Sequence, residues 1–194
     1  MITFTLDTNC LLAVDEGRPE AGAVMALSAA HAEGKASVAL VAISASERQR
    51  AGAHLESFTD FQKRVESLGL GHLDLLPPML IFDVTFWDFS VWSDDGMMEK
   101  DKQIHEVLFP GIPYEWEDFC KLSGLDPTKL VEQSKKWRNA RCDVQALWSH
   151  VHAARDVFVT SDRNFHAPSR AERLSSLFGV RVASPDSAAT LLTN

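Results

Sequence analysis

Short apolar runs alternate with longer segments of helical period along most of this chain. Ile2 to Leu6 is apolar, β-branched and stops at Asp7, the pattern of a buried first strand. Asn9 to Val14 predicts a turn entering a short helix, and Pro19 to Glu33 a longer one, with proline suited to its first turn and Gly34 to its stop. Ser37 to Ile43 predicts a second strand. Ser44-Ala45-Ser46-Glu47 follows with the Ser-x-x-Glu spacing of a capping box. Phe58, Phe61, Val65 and Leu68 recur at helical spacing within Ser57 to Leu68, which Gly69 closes.

From about Gly71 to Lys136 the pattern loosens. Three of the five tryptophans (Trp87, Trp92, Trp116) and five prolines fall here. Met97 to Leu108 still predicts a helix, and Asp126-Pro127 predicts a helix start. Phe82 to Trp92 fits an extended or a helical reading equally. Regularity returns at Arg141 to Ala154, a helix with Asp143, Ala146, Leu147, His150, Val151 and Ala154 on one face. Val157 to Thr160 and Val180 to Ala183 predict two further short strands. Strands alternating with helices indicate a mostly parallel sheet covered on both faces, within one domain of 194 residues.

That architecture gives four acids a common address. Asp7 follows the first strand directly, Glu47 lies one turn beyond the second, and Asp162 comes two residues after the Val157–Thr160 strand. In a parallel sheet these strand ends share one edge, where open α/β folds bind ligands. Asp143, read as standing in the first turn of its helix, can face the same edge. Four clustered carboxylates repel one another, and a divalent cation removes that penalty. Oxygen ligation selects hard ions, Mg²⁺ or Mn²⁺. Two ions about 4 Å apart can activate water, hold a scissile phosphate and stabilise the leaving oxygen. Each acid also has a structural reading: Asp7, Glu47 and Asp162 as helix caps, and Asp143 as a partner of the helix dipole.

Composition narrows the alternatives. The net charge of −8 is uneven: residues 128–182 carry a balance of +5 and the remainder −13. A phosphate-facing surface is therefore expected in the later part of the chain. Lys135, Lys136, Arg138 and Arg141, with Trp137 among them, are candidate RNA contacts, as is Arg163 beside Asp162. Cys10, Cys120 and Cys142 are odd in number and widely spaced, so they read as packing residues. His150 reads as a core histidine, and His31 and His105 as helix-surface residues. No Gly-x-Ser-x-Gly elbow and no phosphate-cradling glycine loop occurs. An aspartyl phosphatase would show Asp-x-Asp after its first strand, where Asn9 stands here. No apolar stretch approaches the roughly 20 residues of a spanning helix, and Asp7 interrupts any leader-like start, so a cytoplasmic location is expected.

These residues resemble the PIN-domain family. Leu6-Asp7-Thr8-Asn9 resembles its opening Asp-x-Asn motif. Val41 to Glu47 resembles its second strand running into an acidic helix, and Asp143 with its alanine-rich helix resembles the third acid. Val157 to Phe165 is similar to its Thr-x-Asp-x-x-Phe segment, and Gly179 to Pro185 to its closing strand. The match covers residues 1–69 and 138–194. It implies a three-layer α/β/α fold, with residues 71–136 as a helical insertion, and a metal-dependent ribonuclease that leaves 5′-phosphate and 3′-hydroxyl ends. By motif position Asp7, Glu47, Asp143 and Asp162 would hold one or two Mg²⁺ or Mn²⁺ ions, with Asn9 and Thr160 supporting them. The resemblance further implies an RNA substrate, a role as the toxin of a VapC-like toxin–antitoxin pair with an antitoxin partner, and pairing into a homodimer. A catalytically inactive module binding RNA or protein is the competing expectation.

Overall fold

The structure is a computed structural model that describes residues 1–45, 58–82, 84–128 and 134–192. It is an α/β fold around a five-stranded, all-parallel sheet: β1 (Thr3–Leu6), β2 (Ser37–Val41), β3 (Asp74–Leu76), β4 (Val157–Val159) and β5 (Arg181–Ala183), in the order β3-β2-β1-β4-β5. β1 is central. Leu6 pairs in register with Leu40 of β2 on one side and with Val159 of β4 on the other.

β2 and β4 bury apolar residues on both faces because helices cover both. On one face Phe4, Leu6, Val38, Leu40, Val157 and Val159 pack against α1 (Thr8–Glu16), α2 (Ala21–Ala32) and α3 (Phe58–Ser67). On the other, Val41 and Phe158 meet α4 (Asp95–Leu108), α5 (Trp116–Ser123) and α6 (Lys135–His152) through Ile104, Leu108, Phe119, Leu147 and Trp148. Two short helices and a longer one complete the chain: α7 (Arg163–His166), α8 (Pro168–Phe178) and α9 (Pro185–Thr190). The two-sided burial explains why β2 and β4 lack polar alternation, while in β1 the buried Thr5 meets His150 Nδ1 at 2.9 Å.

Several sequence expectations are corrected. β3 was not expected; it is three residues long, lies at the sheet edge and ends at Pro77, so no period shows in it. α5 also falls in the stretch read as irregular, although Trp116, Phe119 and Cys120 have helical spacing. Residues 71–136 thus supply an edge strand and much of the second core. The described residues of Phe82 to Trp92, 82 and 84–92, form neither strand nor helix but turns and bends, with Val91 in a bridge to Met79. α6 begins at Lys135, so Asp143 is its ninth residue and not a first-turn residue. The extension escaped notice because Arg141 sits on the buried face and breaks the apolar rhythm. Of the Ser44 to Glu47 box, Ser44 and Ala45 lie in a 3-10 turn over Ala42–Ala45, and Ser46 and Glu47, with the helix expected beyond them, lie outside the described residues.

Candidate active site

The strand order reverses direction at β1: the chain builds outward through β2 and β3, then crosses to β4 and β5 on the other side. Such a switch point opens a crevice at the carboxyl ends of the two diverging strands. Here those strands are β1 and β4. Asp7 and Thr160 are the residues that follow them. The Asp7 amide donates to the Val159 carbonyl at 3.0 Å and the Thr160 amide to the Ala183 carbonyl at 3.0 Å, so both are held in sheet register.

Asp7 is the N-cap of α1, in extended backbone conformation. Both of its carboxylate oxygens accept hydrogen bonds. Oδ1 accepts from the Thr8 amide at 2.7 Å; Oδ2 accepts from Asn9 Nδ2 at 2.7 Å and from the Thr160 hydroxyl at 2.8 Å. Asn9 is fixed in turn, its Oδ1 accepting from the Ser161 amide at 3.0 Å. Thr160 Oγ1 also accepts from the Asp162 amide at 3.1 Å. Asn9 and Thr160 thus tie the end of β1 to the turn after β4. Asp162 caps α7, accepting from the Asn164 amide at 2.8 Å. Phe165, one turn on, is fully buried against Phe158 and anchors this turn to the sheet.

Asp7, Thr8, Asn9, Leu12, Arg18, Asp143, Ser161 and Asp162 line one open cleft of about 320 Å³. Three of the four sequence-designated acids therefore converge from three elements: the β1 end, the middle of α6 and the β4 end. Asp7, 4% exposed, forms its floor. Burial pushes its carboxyl up to about 6 from 3.8, and the Asp162 charge adds to the rise; bonds from Thr160, Thr8 and Asn9 oppose it.

Arg18 was not singled out from the sequence. Gly17, at φ 64°, closes α1 in the left-handed conformation, and Arg18 follows it onto the cleft wall with its guanidinium held by Glu16 at 2.7 Å. An arginine just past a helix stop carries no motif. Arg163 is exposed and lines a neighbouring depression with Glu20, Ser161, His166, Ser184 and Asp186.

The basic cluster on α6 does not act as one surface. Lys135 and Lys136 are exposed and Arg138 is half-buried. Arg141 is only 3% exposed, bonds Asp101 Oδ2 at 2.6 Å and lies over the Tyr114 ring. Trp137 is buried, its indole donating to the Pro113 carbonyl at 3.0 Å. Arg141 and Trp137 therefore belong to the interior and are withdrawn as RNA contacts. Among the histidines, His150 is buried, with Nδ1 bonded to the Thr5 hydroxyl at 2.9 Å. His105 is buried too, against the surface reading, with Nε2 on the Ile112 carbonyl at 2.7 Å. His31 is half-buried and its Nδ1 accepts from the Val38 amide. The three cysteines are buried.

The donor chemistry of the cleft fits a hard divalent cation. It offers carboxylate oxygens, one of them buried where its charge is penalised and where a cation would favour ionisation. Among the described residues no three His, Cys, Asp or Glu side chains stand close enough to enclose an ion. Glu47, the fourth acid, lies outside those residues.

Fold and site together define an α/β protein with an acidic cleft at the switch point of an all-parallel sheet. Comparison of the chain with family models, with curated proteins and with solved structures finds no match in any of the three. No helix among the described residues is long and apolar enough to cross a membrane.

Proposed function

We propose that the protein is a metal-dependent endoribonuclease of the PIN type, hydrolysing RNA phosphodiester bonds. The observation that carries this reading is the convergence of Asp7, Asp143 and Asp162 on one open cleft, with Asp7 locked by Asn9 and Thr160. Asp7, Asp143 and Asp162 would hold one or two Mg²⁺ or Mn²⁺ ions, and Glu47 joins them through the family resemblance. When bound, such ions acidify water and offset charge on the phosphoryl oxygens. The chain's own residues do the positioning. Asn9 and Thr160 orient the Asp7 carboxylate, Asp162 raises the cost of its ionisation, and Arg18 adds a cation on the cleft wall to which an RNA phosphate can pair.

The direct test is cleavage of a mixed pool of unstructured RNAs with Mn²⁺. Activity should vanish with EDTA and in Asp7→Asn and Asp143→Asn, while their circular dichroism matches the parent. Wild-type cutting in both variants would remove the acids from the mechanism. Expression that is toxic to cells, and harmless with Asp143→Asn, would place the protein with toxins that an antitoxin restrains rather than with housekeeping nucleases.

One observation favours a second reading, a catalytically inactive PIN-like module that binds RNA or protein. Both Asp7 oxygens accept hydrogen bonds and Asp162 caps a helix, so both acids have structural work without an ion. Mn²⁺ binding by calorimetry with no cleavage of any RNA in the pool would select it.

A further inference from the structure

Three large rings stand together on the described surface. Phe82, Trp87 and Trp92 are 72%, 65% and 73% exposed. Their centroids lie 5.7 Å (Phe82 to Trp87) and 5.8 Å (Trp87 to Trp92) apart, the tryptophans edge to face. A single exposed apolar side chain is ordinary, whereas contiguous rings mark a contact surface.

The segment carrying them is firmly docked. Met79 and Val84 are buried, and Phe89 stacks on Phe58 at 4.0 Å and 7°. The Val91 amide donates to the Pro78 carbonyl and the Leu80 amide to the Val91 carbonyl, each at 2.9 Å. The segment has placed its inward apolar residues and still presents three rings to solvent.

Charge indicates what they face. From Val65 to Glu99 the sequence holds seven acidic residues and no lysine or arginine. Asp88, Asp94 and Asp95 are exposed beside the rings in sequence. This combination repels a polyanion and attracts a cation twice over, through the carboxylates and through the ring faces. A guanidinium stacks on an indole better than an ammonium does, because it is planar and weakly hydrated.

We propose that the Phe82–Trp87–Trp92 surface docks a cationic, arginine-bearing peptide segment of a partner protein. The proposal is independent of the nuclease reading. The test is fluorescence anisotropy at physiological salt with labelled oligo-arginine, oligo-lysine and oligo-glutamate peptides and an oligouridine RNA. Oligo-arginine should bind several-fold tighter than oligo-lysine, and oligo-glutamate not at all. Trp87→Ala/Trp92→Ala, which keeps every carboxylate, should weaken oligo-arginine binding at least ~10-fold. Asp88→Asn/Asp95→Asn should weaken it several-fold and flatten its salt dependence. Unchanged binding by the tryptophan pair would reduce the effect to net charge and overturn the proposal. So would tighter binding of oligouridine through the same residues, or a concentration-dependent dimer that the tryptophan pair abolishes. Should that pair fail to fold, Trp92→Phe and the aspartate pair carry the same comparison.

Discussion

Arg141→Met separates an interior arginine from an RNA-binding one. Asp101 is fully buried, and three groups converge on it: Arg141 Nη2 and the Tyr114 hydroxyl on Oδ2, and Gln145 Nε2 on Oδ1, each at 2.6 Å. Gln145 Oε1 continues the network by accepting from the Met79 amide at 2.9 Å. Removing the guanidinium leaves the Asp101 carboxylate buried without its counter-charge, a loss of about 3–5 kcal/mol. For a chain of this size that corresponds to a fall in Tm of roughly 6–20 °C. Asp101→Asn strands the arginine instead and costs a similar amount. In Asp101→Asn/Arg141→Met both charges are gone, and the amide that replaces the carboxylate still offers an oxygen to Gln145. The double variant should therefore recover much of the loss, remaining within about 2 kcal/mol of the parent, a strongly non-additive cycle. Urea unfolding monitored by tryptophan fluorescence measures all four corners. Were Arg141→Met to cost less than about 1 kcal/mol while weakening RNA binding, the arginine would belong to the surface and the reading of a buried network would be wrong.

The remaining expectations concern the cleft. Asn9→Ala removes one of the two side-chain bonds on Asp7 Oδ2 and the bond from the Ser161 amide, leaving the Thr160 hydroxyl to hold Oδ2; the proposed nuclease activity should fall roughly 10–100-fold with little change in secondary structure, and full activity would remove Asn9 from the positioning role. Asp7, raised to about 6, binds its proton more tightly folded than unfolded, so its contribution to stability falls as pH rises from 3.8 through 6. His150, held at about 4 chiefly by burial and also by Arg155, works the other way: the unfolded chain takes up its proton first, so its contribution is present above 6.5 and lost as pH falls towards 4. The two slopes oppose each other between about pH 4 and 6, so Asp7→Asn should expose a steeper acid loss of stability than the parent shows; identical thermal-melt profiles over that range would sink the pairing. Mn²⁺ should raise the parent's Tm more at about pH 8 than at about pH 5, and should not raise that of Asp7→Asn; equal shifts in both proteins would mean that the ion binds elsewhere.

Much of the fold could be read from the sequence because the strands are short runs dominated by apolar residues, and β1 and β4 lead directly into the polar residues Asp7 and Thr160. β1, β2, β4 and β5 each end within about two residues of the expected position, and Asp7, Asn9, Thr160 and Asp162 fall at those ends. What escaped was encoded in tertiary contact. β3 owes its strand geometry to pairing with β2, since Asp-Leu-Leu before two prolines has no period of its own. The start of α6 was hidden by Arg141, a charged residue on a buried face whose partner Asp101 lies 40 residues earlier. His105 reads as a surface residue until its carbonyl partner, Ile112, folds back over it. Arg18 reaches the cleft through a left-handed turn at Gly17, a geometry without a periodic signature.

On the proposed nuclease reading, helix capping and metal ligation are compatible roles for Asp7. A cap requires an oxygen acceptor, and serine or asparagine at this position would supply one to the Thr8 amide without carrying charge. The aspartate does so while buried, beside the Asp162 charge, with ionisation displaced from 3.8 to about 6. That displacement corresponds to a penalty on the order of 3 kcal/mol for holding the charged form well above pH 6. Capping alone gives no return on such a penalty. Under the proposed nuclease reading, a cation in the cleft would offset it, because it would favour the ionised carboxylate over the neutral acid. On that reading the hydrogen bonds from Asn9 and Thr160 serve as orientation: they hold a carboxylate that is costly to ionise against the cleft where a cation would meet it.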